Sequence, residues 1–249
     1  MRPFKGYPAA GTTLSTLMSL SVTNRPKASL RVDRNFKTLR ELTLDKLREA
    51  IGSGHFEMGQ RLVERDLCVQ LDVSRTVVRE ALRHLESEGL VENVPHQGPT
   101  VARITADQAR QIYEIRALLE GRAARRCAEL ASDTGIKKLA ELNAHIQSAF
   151  RSGQHREVIV RTTAFYEALF AIADLPIAGQ VVASLNARIN QLRAMTISTP
   201  GRQDEAAAEM AAIIDAIRQR KAAEAEHAAV RHIDRVAELA SRGFGTALR

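Results

Sequence analysis

The chain has 249 residues but only two cysteines, Cys68 and Cys127. They are widely spaced and each sits among apolar positions at helical spacing, which excludes a disulfide framework and a C-x-x-C metal motif and fits a reducing cytoplasm. Long apolar runs are also missing. Leu14 to Val22 is the longest apolar-looking stretch, and its serines and threonine leave it far short of the roughly 20 residues that span a bilayer. No Ser/His/Asp set stands at a known catalytic spacing, and no glycine-rich loop could cradle a phosphate. Glu224-x-x-His227 is half of what a di-iron helical bundle requires. What remains is an ordinary globular composition, 45% hydrophobic and 26% charged, long enough for two domains with a real core.

Net charge is +7, and its distribution says more than its sum. Residues 1–36 carry six Lys/Arg against one Asp, residues 37–104 ten against eleven acids, and residues 105–249 twenty against seventeen. The first segment is rich in Ser, Thr and Arg, nearly free of acids and without helical or strand period, so it reads as a disordered basic tail. Three accounts of it stay open. The start is misassigned, with Met18 as the alternative initiator; the segment is a non-functional extension; or Arg25, Lys27, Arg31 and Arg34 reach phosphates of a bound nucleic acid.

Residues 64–101 carry the densest pattern. Leu67, Cys68 and Leu71 repeat at helical spacing, Asp72 interrupts, and Val78, Ala81, Leu82 and Leu85 resume it after Ser74, which predicts helix, tight turn, helix. Ser74 is placed to cap the second helix, whose other face presents Arg75, Thr76, Arg79 and Arg83. Glu88-Gly89 ends that helix, and two short strands follow around Pro95-His96-Gln97-Gly98, a ribbon beside the helix. In a helix-turn-helix the second helix enters the DNA major groove with its N-terminal residues at base edges, which makes Arg75 the expected base reader. The segment as a whole is not basic, so Glu64, Asp66, Glu86 and Glu88 are expected on other faces than the arginines. Arg83 lacks support from the motif and reads as a solvated surface residue.

These residues resemble the GntR-type transcription regulators: AIGSGHFEMGQRLVERDL precedes VSRTVVREALRHLESEGLV and the wing HQGPTV. The resemblance spans about Leu39 to Val101, with Met58 and Val77 standing where the family usually has proline. It implies that Arg65, Ser74, Arg75, Arg79 and His96 match positions that contact DNA in the FadR-like branch, and that Gly98 is the wing glycine. Thr76 joins them from its place on the same helix face.

From Ile104 onward the pattern is all helical. Segments are predicted near Ala106–Ala131, Thr134–Arg151, His155–Ala173, Pro176–Ile197, Gln203–Arg220 and Lys221–Arg242, divided by Gly153, Asp174-Leu175-Pro176 and Pro200-Gly201. A mainly α protein is therefore expected: a winged helix-turn-helix over 37–103, then an all-α bundle of six to seven helices over 104–249 that binds an effector and dimerises. QIYEIRALLEGRAARRCAE and AIRQRKAAEAEHAAVRHIDRV resemble the ligand-sensing FCD domain of the FadR-like branch. Many members hold a divalent metal there through an Asp and three His. The matching positions here are Thr162, Tyr166, Met210 and His232, a set with one good ligand, so no metal and no other cofactor is expected. A small carboxylate would then need organic contacts. Arg116 is the leading anchor because a guanidinium can grip a carboxylate with two hydrogen bonds, with Tyr166, Asn190 and His232 beside it. An equal alternative for Arg116 is a salt bridge within the domain to Glu114 or Glu120.

The expected function is a cytoplasmic, homodimeric transcription factor, a repressor rather than an enzyme, whose linker near Arg103 to Ala106 couples effector to operator. The alternatives are a constitutive DNA-binding protein with a decayed pocket, and a helical-bundle enzyme with an accessory DNA-binding domain.

Overall fold

The computed structural model describes residues 37–246, so the basic tail and Met18 lie outside the described residues. Three helices and a ribbon come first: α1 (Leu39–Gly52), α2 (Glu64–Leu71), α3 (Arg75–Ser87), β1 (Val91–Val94) and β2 (Gly98–Val101). Each start has a local cause. Thr38 and Glu41 form a reciprocal capping box on α1, and the Ser74 hydroxyl accepts the Val77 N–H at the start of α3, satisfying donors that a helix leaves free at its N-terminus. Asp72 ends α2 in the left-handed region, at φ 51°, where an aspartate is tolerated better than most residues. β1 and β2 pair antiparallel with Val91 opposite Val101 and Val94 opposite Gly98. This half closes over Leu47, Ile51, Leu62, Leu67, Val78 and Leu85, all nearly out of water.

Six helices follow: α4 (Ala106–Leu130), α5 (Asp133–Arg151), α6 (His155–Ile172), α7 (Pro176–Thr196), α8 (Arg202–Arg218) and α9 (Ala222–Thr246). Their limits fall within a few residues of the expected ones, because the punctuation is strong. Thr105 and Gln108 cap α4 as a box, Ser132 caps α5, and Pro176 opens α7. The largest difference is at α9, which runs past Arg242. Gly243 does not stop it, since the glycine lies against the Met195 side chain of α7 and tertiary packing carries the helix through. α4 and α9 run closely together: a Cβ at Gly121 would sit 2.9 Å from a Val230 methyl. The bundle core is built on Cys127, Leu139, Phe165, Leu192, Ile213 and Ile233. Both cysteines are free, and burial pushes the Cys127 thiol up to about 12, leaving it an apolar filler.

The two halves share one helix. α7 belongs to the bundle, yet Ala187 is buried in the core of the N-terminal half, and Gly52 at the end of α1 lies against Ala187 and Asn190. One residue on, the Arg188 guanidinium donates to the Glu88 carbonyl at the end of α3, at 2.6 Å. It passes directly over Gly89, where φ is +66° and a Cβ would meet Arg188 Nη2; that position needs glycine twice over. In return Met58, from the loop before α2, packs against the bundle core.

Ala187→Glu would bury a carboxylate at this seam without a partner and is expected to cost about 2 kcal/mol or more. Urea denaturation should show the loss, while Ala183→Glu, exposed on the same helix, should stay near the wild type.

Candidate functional site

The start of α2, the start of α3 and the tip of the ribbon enclose a cleft of about 380 Å³ whose lining includes Arg61, Arg65, Arg75, His96 and Gly98. Three separate stretches of sequence thus bring four of the expected DNA-binding residues to one place. Arg75 is exposed and, among the described residues, has no ion pair. His96 adopts φ +65° and Gly98 φ +81°, with nothing within 4 Å of a Cβ at Gly98. Together they fold the ribbon back tightly enough to present the His96 ring and a bare backbone at its tip. Arg61 was not anticipated. It precedes α2 and reaches the site because it bridges to Thr100 of β2, a pairing no local pattern announces.

Ser74, Thr76 and Arg79 do not line this cleft. Ser74 is occupied as the α3 cap, Thr76 is exposed, and Arg79 lies one turn along α3. There its Nε donates to both Glu64 carboxylate oxygens, at 2.9 and 2.8 Å. The expectation that Glu64 faces elsewhere is therefore corrected. α2 begins beside the exposed face of α3, so Glu64 lines the cleft and holds Arg79. Asp66 likewise stands by Arg65, at 3.3 Å. Glu88 does turn away, with both oxygens taking hydrogen bonds from Arg48 of α1.

A second concavity lies inside the helical half, a cavity of about 50 Å³. Arg116, Arg193, Arg202 and His232 line it, with Ile146, Phe150 and Val158 among its apolar walls. Arg116 is 3% exposed and paired with Glu120, through Nε at 2.7 Å and Nη2 at 3.3 Å. Its guanidinium also lies 5.7 and 5.6 Å from the ring centres of Tyr113 and Tyr166, a favourable cation–π geometry. Burial works against the charge, but the Glu120 carboxylate beside it raises the Arg116 pKa. Arg202 opens α8 and reaches Glu209 with Nη1 at 3.0 Å and Nη2 at 2.8 Å. His232 Nδ1 is 2.6 Å from the same carboxylate.

The other expected contacts are placed differently. Tyr166 is buried against Arg116, and its ring borders a separate surface depression beside Phe170 and Gly179. Asn190 stands behind Arg193, accepting its hydrogen bond through Oδ1. Sequence reasoning missed Arg193 and Arg202. Each is a single arginine near a helix end, and only the packing of α7, α8 and α9 reveals what it faces.

The description "Bacterial regulatory proteins, gntR family" matches residues 39–101, and the FCD domain matches residues 111–235. The chain belongs to the GntR family and carries an FCD domain. It is thus a DNA-binding transcriptional regulator. It is 28% identical over 181 residues to the HTH-type transcriptional repressor RspR of Escherichia coli K12, covering 72% of this chain and 79% of that one. It is 27% identical over 186 residues to a probable D-xylose utilization operon transcriptional repressor of Paenarthrobacter nicotinovorans, covering 74% and 80%. Among solved structures, E. coli McbR/YncC aligns with a TM-score of 0.74 at 22% identity, over 84% of this chain and 100% of that one. A GntR regulator from Rhodococcus sp. RHA1 aligns at 0.66 and 23%, over 84% and 99%. These likenesses establish the same fold. No helix among the described residues is long and apolar enough to cross a membrane.

The residues at this GntR protein's family metal positions do not suit a divalent ion. The Thr162 hydroxyl donates to the Val158 carbonyl at 2.7 Å, within its own helix. Met210 offers a thioether, and His232 Nδ1 is engaged by Glu209 while the Arg202 guanidinium lies 3.5 Å from it. A fixed positive charge beside the one good ligand repels a cation.

Burial, opposed by Glu209, lowers the His232 pKa below its ordinary 6.5. For Glu209 burial acts upward, yet the hydrogen bonds from His232 and Arg202 hold it at about 2 against an ordinary 4.5. The signs follow from linkage. On acidification the unfolded chain protonates its histidine first, so stability present above pH 6.5 falls below that value. Glu209 contributes stability above pH 4.5 that is lost toward about pH 2. Urea midpoints should decline in two stages, and His232→Gln should remove the stage that begins near 6.5; an unchanged profile in that variant would assign it elsewhere.

Proposed function

We propose that the chain is a homodimeric repressor that reads a palindromic operator and responds to a small carboxylate-bearing metabolite. The observation that carries this is the convergence of Arg61, Arg65, Arg75 and His96 in one cleft at the start of α3. In this family's arrangement α3 lies in the major groove with its N-terminal end at the bases, and the ribbon tip beside the adjoining backbone or minor groove. Arg75 is unpaired and reads a base edge. Arg79 exchanges Glu64 for a phosphate, and Thr76 and Ser74 add contacts from the first turn. Repression is favoured by two relatives that bear that name. Dimerisation is supported by an apolar groove of about 750 Å³ between α4 and α9, with Leu118 73% exposed at its edge, a surface a second copy would cover.

Coupling runs through α7 as well as through the Arg103–Ala106 linker. Arg193 faces the cavity, Asn190 joins it to the end of α1, and Arg188 holds the end of α3. A metabolite that turns α7 slightly therefore moves the recognition helix. It can do so only to the extent that it binds the two dimer shapes unequally.

Arg75→Ala is expected to cost about 1–3 kcal/mol at the operator and to relax base preference at one position of each half-site. Fluorescence anisotropy with operator and scrambled DNA checks this, and equal losses on both would make Arg75 a phosphate contact. Arg188→Met should leave operator affinity within about 1 kcal/mol while reducing the effector's influence on it, because the hydrogen bond serves the linkage between domains. Titrations of that variant with and without effector measure the difference.

A further inference from the structure

The charges around the helical cavity do not balance. α4 supplies Arg116 and Glu120, α8 Arg202 and Glu209, α7 Arg193, and α9 His232. Tyr113 also lines the cavity and Tyr166 stands against Arg116 behind its wall, and burial first of all keeps both hydroxyls protonated. Arg116 and Glu120 cancel, Arg202 and Glu209 cancel, and burial keeps His232 from charging at neutral pH. Among the described residues Arg193 has no carboxylate partner. Its guanidinium donates to Asn190 Oδ1 and Thr163 Oγ1, both neutral oxygens. Burial, then the like charge of Arg116, pull it down to about 10, which still leaves a cation at pH 7. A third carboxylate, Glu205, lies 3.5 Å from Arg202, but it is held by Arg235 through Nε at 3.1 Å and Nη2 at 2.7 Å, a neutral pair at the surface. With that pair set apart, three guanidinium groups meet two carboxylates, in a setting where an uncompensated charge is costly.

We infer that the cavity binds one small monoanion, a carboxylate on a short aliphatic body, with Arg193 receiving the carboxylate and no metal ion taking part. One negative charge completes the balance; two would reverse it. A guanidinium suits a carboxylate because two parallel N–H donors match its two oxygens. Ile146, Phe150, Val158, Ile197 and Val236 form most of the remaining wall, and the hydroxyls of Thr162 and Thr196, which also line it, donate to carbonyls of their own helices, so the cavity suits a hydrocarbon rather than a sugar. A volume of about 50 Å³ accepts a body of a few heavy atoms. Arg202 already supplies the positive charge that a divalent ion would bring near His232. Arg116, bound on both Nε and Nη2 by Glu120, is an electrostatic neighbour rather than the acceptor. This deepens the proposed sensor role of the helical domain and rests on it.

The test is thermal unfolding of the full-length protein with acetate, propionate, lactate and malonate, each with EDTA present and against sodium chloride at equal ionic strength. Saturating monocarboxylate is expected to raise Tm by several degrees, and malonate by less. Arg193→Met should weaken the monocarboxylate response at least ten-fold and, without any ligand, melt no lower than the wild type, since it removes an unpaired charge. Arg193→Lys should respond in part. The inference is overturned if no monocarboxylate exceeds chloride, if EDTA abolishes the shift, if malonate is preferred, or if Arg193→Met responds as the wild type does. Operator binding, followed separately, distinguishes the two levels: lactate binding that leaves DNA affinity unchanged defeats the regulatory proposal and leaves this site standing.

Discussion

A guanidinium taken out of water must find its charge answered within a few ångströms, and the helical domain meets this constraint repeatedly. Arg116 and Arg202 are 3% and 4% exposed, and each is held by a carboxylate at more than one nitrogen. Removing either carboxylate would strand a cation in a medium that solvates it poorly. These pairs therefore fix how helices are rotated as well as how closely they pack. Glu120 lies one turn from Arg116 on α4, so that pair turns both side chains to one interior face. Glu209 joins Arg202 of its own helix to His232 of α9. Apolar packing of Leu, Ile and Ala tolerates small rotations; a bidentate ion pair in the core does not.

The N-terminal half treats charge in the opposite way. Its ion pairs lie at the surface, as with Arg79 and Glu64, where the side chains are 58% and 30% exposed, and such pairs contribute little to stability. They still have a consequence for binding. A domain with ten basic and eleven acidic groups in residues 37–104 gains little from bulk attraction to DNA, and Glu64 inside the cleft subtracts more. In the proposed homodimer, affinity comes from geometry: an unpaired Arg75, a wing tip that approaches closely, and a second domain bound on the same duplex. A nearly neutral reading head discriminates well because general phosphate attraction does not hold it on the wrong sequence.

Much of the fold was legible because its boundaries are chemical. Thr105, Ser132, Pro176 and the Pro200-Gly201 pair mark helix ends by capping and by backbone geometry, effects that act within a few residues. The cleft was legible in part for the same reason, since Arg75 follows its cap by one position and His96 occupies a turn. Arg61 and Glu64 were not, because their positions depend on how α2 and the ribbon meet α3. The cavity was the least legible. Arg116 and Glu120 stand four apart and could be read as a pair. The hydrogen-bond partners of Arg202 lie seven and thirty residues away, and the isolation of Arg193 is visible only once every neighbouring helix is in place.

α7 links these two regimes, and its position sets what regulation can cost. Along fewer than two turns it contributes Ala187 to the core of the DNA-binding half, Arg188 to the end of the recognition helix and Arg193 to the cavity wall. A rigid helix transmits a rotation at one of these points to the others with little loss, whereas a flexible linker would absorb it. The buried pairs of α4 and α8 resist such a rotation, and Arg193, held only by neutral oxygens, does not. The helix is thus least constrained where its charge is unanswered, and an anion bound there as inferred would change the balance of forces on the same rod that holds Glu88. Filling that position permanently with a carboxylate from the protein would steady the bundle and remove the response proposed for it.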